Sequence, residues 1–175
     1  MTPPCKHTDA NIKPLKAQKL EKFIFLLILF THGSFFNIGE WNQSSRYNAI
    51  FSTIENFNED LPLFAIDPFL VDPGNNFNTG DWAQHGEHYY SNKAPGTILG
   101  GSLIYAGLYF LEKVIFQLSP TGIGLTIFNM WFINLLLTVL PLAIAAILIF
   151  RMGIEVSGSL TKSVLVTCIL AWGTL

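Results

Sequence analysis

Long apolar runs separated by one long polar stretch govern the reading of this chain. The first run, LEKFIFLLILFTHGSFFNI at 20–38, is close to the roughly 20 residues that cross a bilayer as helix, and it predicts a first transmembrane helix. No small-x-small cleavage site follows it, so the run reads as an anchor and not as a removed signal. A second run at 97–116 begins just after Pro95-Gly96, with Gly100, Gly101 and Gly107 leaving room for a close helical neighbour. After the LSPTG turn a third run, 124–150, is long enough to tilt and holds Pro141 as a candidate kink. A fourth apolar run begins at Leu160 and stops at Leu175, short of a full span. The pattern predicts an all-α integral membrane protein with about three complete transmembrane helices, the start of a truncated fourth, and a long structured external loop after the first. The chain then reads as the N-terminal part of a longer protein.

The polar stretch, 39–95, is too long for a simple connection and needs structure of its own. In SSRYNAIFSTIENF the residues Tyr47, Ile50, Phe51 and Ile54 fall at i, i+3, i+4 and i+7. That spacing predicts an amphipathic helix over 45–56, capped by Ser44 or Ser45, lying on the membrane surface with Asn48 and Ser52 toward water. Pro62, Pro68, Pro73 and the PGNN turn signal predict extended chain and turns beyond it.

Composition agrees with the membrane reading, since half of the 175 residues are hydrophobic and only 13% are charged. The net charge of −2 conceals an asymmetry. Residues 1–22 carry five lysines against two acids, whereas 39–95 carry eight acids against Arg46 and Lys93. A cytoplasmic basic tail (1–19) and an external or periplasmic loop follow from the preference of lysine and arginine for the cytoplasmic side. Three successive spans would then place Arg151 and Lys162 outside, against that preference; a re-entrant 97–116 would remove the conflict. Cys5 in the tail and Cys168 in an apolar run imply no disulfide framework. No zinc-finger spacing, phosphate-cradling glycine loop or nucleic-acid-binding patch is present in the sequence, so no nucleic-acid partner is expected.

Chemistry concentrates in TGDWAQHGEHYYSNKAPG at 79–96. The order of a first helix, a long loop carrying NQSSRYNAI, and this motif running straight into a second helix resembles the GT-C-type polyprenyl-phosphate-dependent glycosyltransferases. The nearest branch is the bacterial one similar to protein O-mannosyltransferases and lipid A aminoarabinose transferases. The residues that carry the resemblance are Arg46-Tyr47, Gly80-Asp81, Tyr89-Tyr90 and Lys93-Ala94-Pro95-Gly96. It implies an inverting transferase of the bacterial inner membrane that uses a polyprenyl-phosphate-linked sugar, membrane lipid and an unknown acceptor. Relatives of the aminoarabinose kind carry an acidic pair shortly before Arg-Tyr, where this chain has Asn42-Gln43-Ser44-Ser45. The base then falls to Asp81, with Asp67 as its rival and Glu40 nearby.

Such a transfer needs a carboxylate to take the acceptor's proton and a cation to stabilise the departing phosphate. Asp81 suits the first task, Lys93 the second, and Arg46 offers a bidentate grip on phosphate or a loop salt bridge. Tyr89 and Tyr90 are expected to bind substrate by stacking on sugar faces. Each has a plainer reading: a turn residue for Asp81, a snorkelling interfacial lysine for Lys93, and an aromatic interfacial belt for Trp41 and Trp82. DWAQHGEH matches no established metal spacing, so no metal site is favoured and no cofactor is firmly implied. The alternative function is a non-catalytic multi-pass protein, a transporter or assembly subunit, whose loop binds a partner or lipid. His32, Asn129 and Asn134 are polar at membrane depth and are expected to face other helices.

Overall fold

A computed structural model describes residues 14–36, 40–56, 61–71, 78–118 and 122–173. Most of the basic tail, the PGNN turn and the last two residues lie outside these. The elements are α1 (Pro14–Ser34), α2 (Trp41–Glu55), α3 (Asp67–Val71), β1 (Trp82–His85), β2 (His88–Ser91), α4 (Pro95–Phe110, prolonged by a π turn Leu111–Ile115), α5 (Ile123–Asn134), α6 (Leu140–Ser157) and α7 (Leu160–Trp172). Among the described residues two helices are long and apolar enough to cross a membrane: Pro95–Ile115, with 21 residues, and Ile123–Ser157, with 35. The second extends well past the expected 124–150. At 1.5 Å per residue it is about 52 Å long, against about 30 Å of hydrocarbon. Pro141 lacks the N–H that would bond Leu137, and the backbone answers with a π segment, Leu135–Val139, immediately before it. α7 is apolar but only 13 residues long.

The contacts fall into two compact units. In the first, α1, α6 and α7 bury Ile24, Ile28, Ala143, Ala146, Phe150 and Ala171. Small residues let the helices close up: a β-carbon at Gly153 would lie 2.9 Å from the Ser163 hydroxyl. Arg151 grips Glu21 through Nε (3.1 Å) and Nη2 (2.8 Å). At the other end of α1 the indole of Trp172 donates to Thr31 (3.3 Å), and the His32 ring lies 6.1 Å from it. α6 therefore runs back along α1 and α7 runs with α1. Gly158, in the left-handed region at φ 61, makes the reversal between α6 and α7, and Ser159 caps α7 by accepting from the Lys162 amide. The sequence leaves the side of Arg151 open; the bidentate pair sets Arg151 beside Glu21 of α1.

In the second unit α2 is the centre. It begins at Trp41, with Glu40 preceding it and no side-chain cap, so Ser44 and Ser45 are interior helix residues and not caps. Nor is it a half-solvated surface helix: Asn48 (0% exposed) and Ser52 (4%) are as buried as Ile50 and Phe51. The water-facing assignment of Asn48 and Ser52 is thus overturned, because partners cover both faces. α2 and α4 run side by side in the same direction. Ser45 meets Ser91 just before α4 (2.9 Å), Ile50 fills the space above Gly101, and Phe51 packs edge-on at 4.6 Å against Tyr105, whose hydroxyl donates to Glu55 (2.5 Å). Asn129, as expected, bonds across helices, its amide donating to Glu112 (3.2 Å). The loop also departs from the all-α expectation. α3 stands where extended chain and turns were foreseen, and an antiparallel hairpin, β1 with β2, follows in a stretch for which no element was foreseen.

The antiparallel packing of α1 and α6 generates a prediction. In a protein whose native cysteines are replaced by serine, Lys16→Cys and Thr161→Cys should label from the same face of the membrane with an impermeant thiol reagent. Labelling from opposite faces would contradict the Glu21–Arg151 pairing.

Candidate functional site

The hairpin explains how Asp81 and Lys93 meet. β1 and β2 pair as Trp82 with Ser91, Ala83 with Tyr90, Gln84 with Tyr89 and His85 with His88. Gly86, at φ 62, occupies the first central position of the two-residue turn, where an L side chain is strained. Continuing the register past Trp82 and Ser91 sets Asp81 opposite Asn92, with Lys93 next along. The Lys93 ammonium forms an ion pair with Asp81 Oδ2, and the Asn92 amide donates to Oδ1. The two charged side chains are mostly sheltered, 17% exposed for Lys93 and 25% for Asp81.

Both charged residues sit two positions after a hydroxyl that receives their backbone N–H. The Asp81 amide donates to the Thr79 hydroxyl (3.1 Å) and the Lys93 amide to the Ser91 hydroxyl (3.3 Å). Thr79, 3% exposed, donates in turn to the carbonyl of Trp41 (2.7 Å), and Ser91 bonds Ser45. The first turns of α2 thereby hold both strands of the site. The hydrogen bond from Lys93, then that from Asn92, keeps the Asp81 carboxyl below its ordinary 3.8. Asp81 is consequently an ionised, hydrogen-bonded carboxylate at neutral pH.

Asp67, the rival base, is occupied differently. It opens α3, accepts the Tyr89 amide (3.0 Å) and faces His88 Nδ1 at 3.4 Å, pinning the hairpin to α3. Next to it the Ile66 amide donates to the Tyr89 carbonyl (2.8 Å), and Ala65 bridges Tyr90. Tyr89 is half-buried, edge-on to Trp82 at 4.7 Å, while Tyr90 flanks His85 and His88 at 6.5 Å. Arg46 is not drawn into the cluster. Among the described residues it forms no ion pair, and its Nε is buried without a hydrogen-bond partner. Its guanidinium partly offsets the burial that pushes the neighbouring Tyr47 hydroxyl up to about 12, so that phenol is neutral.

The structure thus brings together Asp81 and Lys93, while Asp67 is engaged by His88 and Tyr89 and Arg46 joins no ion pair among the described residues. Thr79, Ser91 and Asn92 were missed as partners, although the repeated hydroxyl-x-charge spacing of Thr79-Gly80-Asp81 and Ser91-Asn92-Lys93 carried the signal. Among the described residues no group of three or more histidine, cysteine, aspartate or glutamate side chains could hold a metal ion. Comparison with known families, with characterised proteins and with solved structures finds no match to the chain.

The depressed Asp81 carboxyl makes a pH prediction. A carboxyl lowered in the folded state contributes stability that is present above its unfolded value and is lost as pH falls through the folded one. Followed by its side-chain 13C shift, Asp81 should titrate below 3.8 in the native protein and return toward that value in Lys93→Gln. An unchanged midpoint in the variant would show that the pair does not form.

Proposed function

We propose that the chain carries the first external loop of a membrane glycosyltransferase, which moves a sugar from a polyprenyl phosphate to an acceptor hydroxyl on the outer side of a bacterial inner membrane. α1 and α7 add to the two long apolar helices as membrane segments, and the N-terminus is cytoplasmic. The single observation that carries the reading is the contact of Asp81 with Lys93 at the base of a hairpin, two residues before an apolar helix of membrane-spanning length. A carboxylate and an ammonium at the boundary between a polar loop and a membrane helix fit a substrate whose reacting group is a phosphate and whose tail is lipid.

The chemistry follows from competition for the lysine. In the resting site the ammonium suppresses the basicity of Asp81. An arriving phosphate takes over Lys93, and Asp81, relieved of its cation, becomes a better proton acceptor. The acceptor oxygen then attacks the anomeric carbon while its proton passes to Asp81. The sugar–oxygen bond to phosphate breaks, and its electron pair leaves on the phosphate, which Lys93 stabilises. A single displacement of this kind inverts the anomeric centre. Tyr89 and Tyr90 belong to β2 of the same hairpin. Asp67, engaged by Tyr89 and His88, serves to hold the fold.

Sugar transfer from a polyprenyl-phosphate sugar and binding of undecaprenyl phosphate, measured in parallel, test this reading. Asp81→Asn should lower the transfer rate by about 10²- to 10⁴-fold with lipid-phosphate binding retained. Lys93→Ala should weaken that binding, and Asp67→Asn should reduce stability more than chemistry. A dead Asp67→Asn beside a fully active Asp81→Asn would exchange their roles. Normal transfer in all three would show that the loop is not the active site, and no transfer by the native protein would replace the transferase with the non-catalytic alternative, a multi-pass transporter or assembly subunit whose loop binds a partner or lipid.

A further inference from the structure

Beside the charged pair lies a cleft of about 550 Å³. Two indoles and a phenol, Trp41, Trp82 and Tyr89, contribute to its walls, together with Thr79 and Asn78. Trp41 and Trp82 remain 66% and 39% exposed, so their rings are open to a ligand and not consumed by the core. Both are nevertheless held. The Trp41 ring packs directly on the backbone of Gly80, where a β-carbon would sit 2.8 Å from it, and its carbonyl is tied to Thr79. Trp82 is set edge-on to Tyr89. Trp82 also follows Asp81 in sequence, and Gly80 precedes it, so the cleft and the ion pair share one stretch of backbone.

We propose that this cleft is a saccharide subsite that stacks one pyranose ring against Trp41 and Trp82. A pyranose has a face of C–H bonds and an edge of hydroxyls. Indole faces are electron-rich and attract the first, and exposed groups such as the Asn78 amide can bond the second. An interfacial tryptophan belt requires apolar bodies at the headgroup level, but it does not require two indoles fixed around one concavity with a sheltered ion pair at its rim. The assignment deepens the transferase reading and rests on it for the ring's purpose, since it sets a sugar beside Asp81. It also settles the role of Gly80, which is to let the Trp41 ring lie flat on the chain.

The test uses the full chain in lipid nanodiscs and two soluble probes, methyl α-D-mannopyranoside and methyl β-D-glucopyranoside. Saturation-transfer NMR should show at least one of them bound, with the strongest transfer on the ring C–H protons. Trp82→Ala and Gly80→Ala should each weaken that binding by about tenfold, the scale of one aromatic contact. Trp82→Phe should recover part of it, and Trp131→Phe, outside the cleft, should leave it unchanged. Gly80→Ala moves the Trp41 ring without removing an aromatic group, so it decides the matter where Trp82→Ala fails to fold. Asp81→Asn should bind the probe as the native protein does, which separates this subsite from the chemistry: loss of transfer with retained sugar binding leaves both standing, retained binding with normal transfer overturns only Asp81 as the base, and probe binding by a native protein that transfers no sugar overturns only the transferase. Absence of probe binding on the order of 10 mM, the weak end for a monosaccharide, would overturn the subsite. So would quenching of Trp82 emission by headgroup-level brominated lipid with no response to either sugar.

Discussion

The packing of α2 on α4 is the constraint on which the second unit depends. α2 is a polar helix, WNQSSRYNAIFSTIE, that would gain little from lipid and has too narrow an apolar stripe to fold alone in water. It is stable here because partners cover it nearly all round. Gly101 is central to this, since any β-carbon there would collide with Ile50, itself fully buried. Around that contact the hydroxyls of Ser45 and Thr79, the Phe51 ring and the Glu55 carboxylate all find partners. A buried polar helix is costly only where its groups are unmet, as at Ser44 Oγ and Arg46 Nε, and these four are met. The functional consequence is that the two arms of the Asp81–Lys93 site are hung from one rigid element, through Trp41 and through Ser45.

How much of this was legible in the sequence depended on the range of the interactions involved. The long apolar periods were legible because burial in lipid or core repeats along one helix. α2 was recognised from Tyr47, Ile50, Phe51 and Ile54, but its start was set too late. Ser44 and Ser45 have the chemistry of caps, and nothing local reveals that Ser45 is spoken for by Ser91, 46 residues away. The polar face of α2 was misjudged for the same reason: Asn48 and Ser52 are covered by tertiary partners. The hairpin went unseen because β1 is exposed at all four positions and so shows no alternation, and Gly-Glu is a weaker turn signal than Asn-Gly. The site residues were therefore legible as a motif, while the pairing of Asp81 with Lys93 needed the register. Arg46 belongs to the same sequence motif and forms no ion pair among the described residues.

The first unit shows how one ion pair can fix the direction of one helix against another. Charge counting alone left Arg151 on the unfavourable side of three spans. Its bidentate hold on Glu21 sets it at the lysine-bearing end of α1. An exposed pair of this kind contributes little to stability. Its informative value is geometric, and the Trp172–Thr31 bond at the far end of α1 sets α7 in the same direction as α1, which agrees with it.

Whether Asp81 and Lys93 are chemistry or only architecture is best decided by exchanging them. A structural ion pair is indifferent to which partner carries which charge, whereas a base for the acceptor and a cation for the phosphate are not interchangeable. The measurement is sugar transfer by the double variant Asp81→Lys, Lys93→Asp, alongside its thermal stability and that of the two single variants. The account predicts that the exchange recovers most of the stability lost in the singles and none of the transfer. Recovery of transfer together with stability would contradict it.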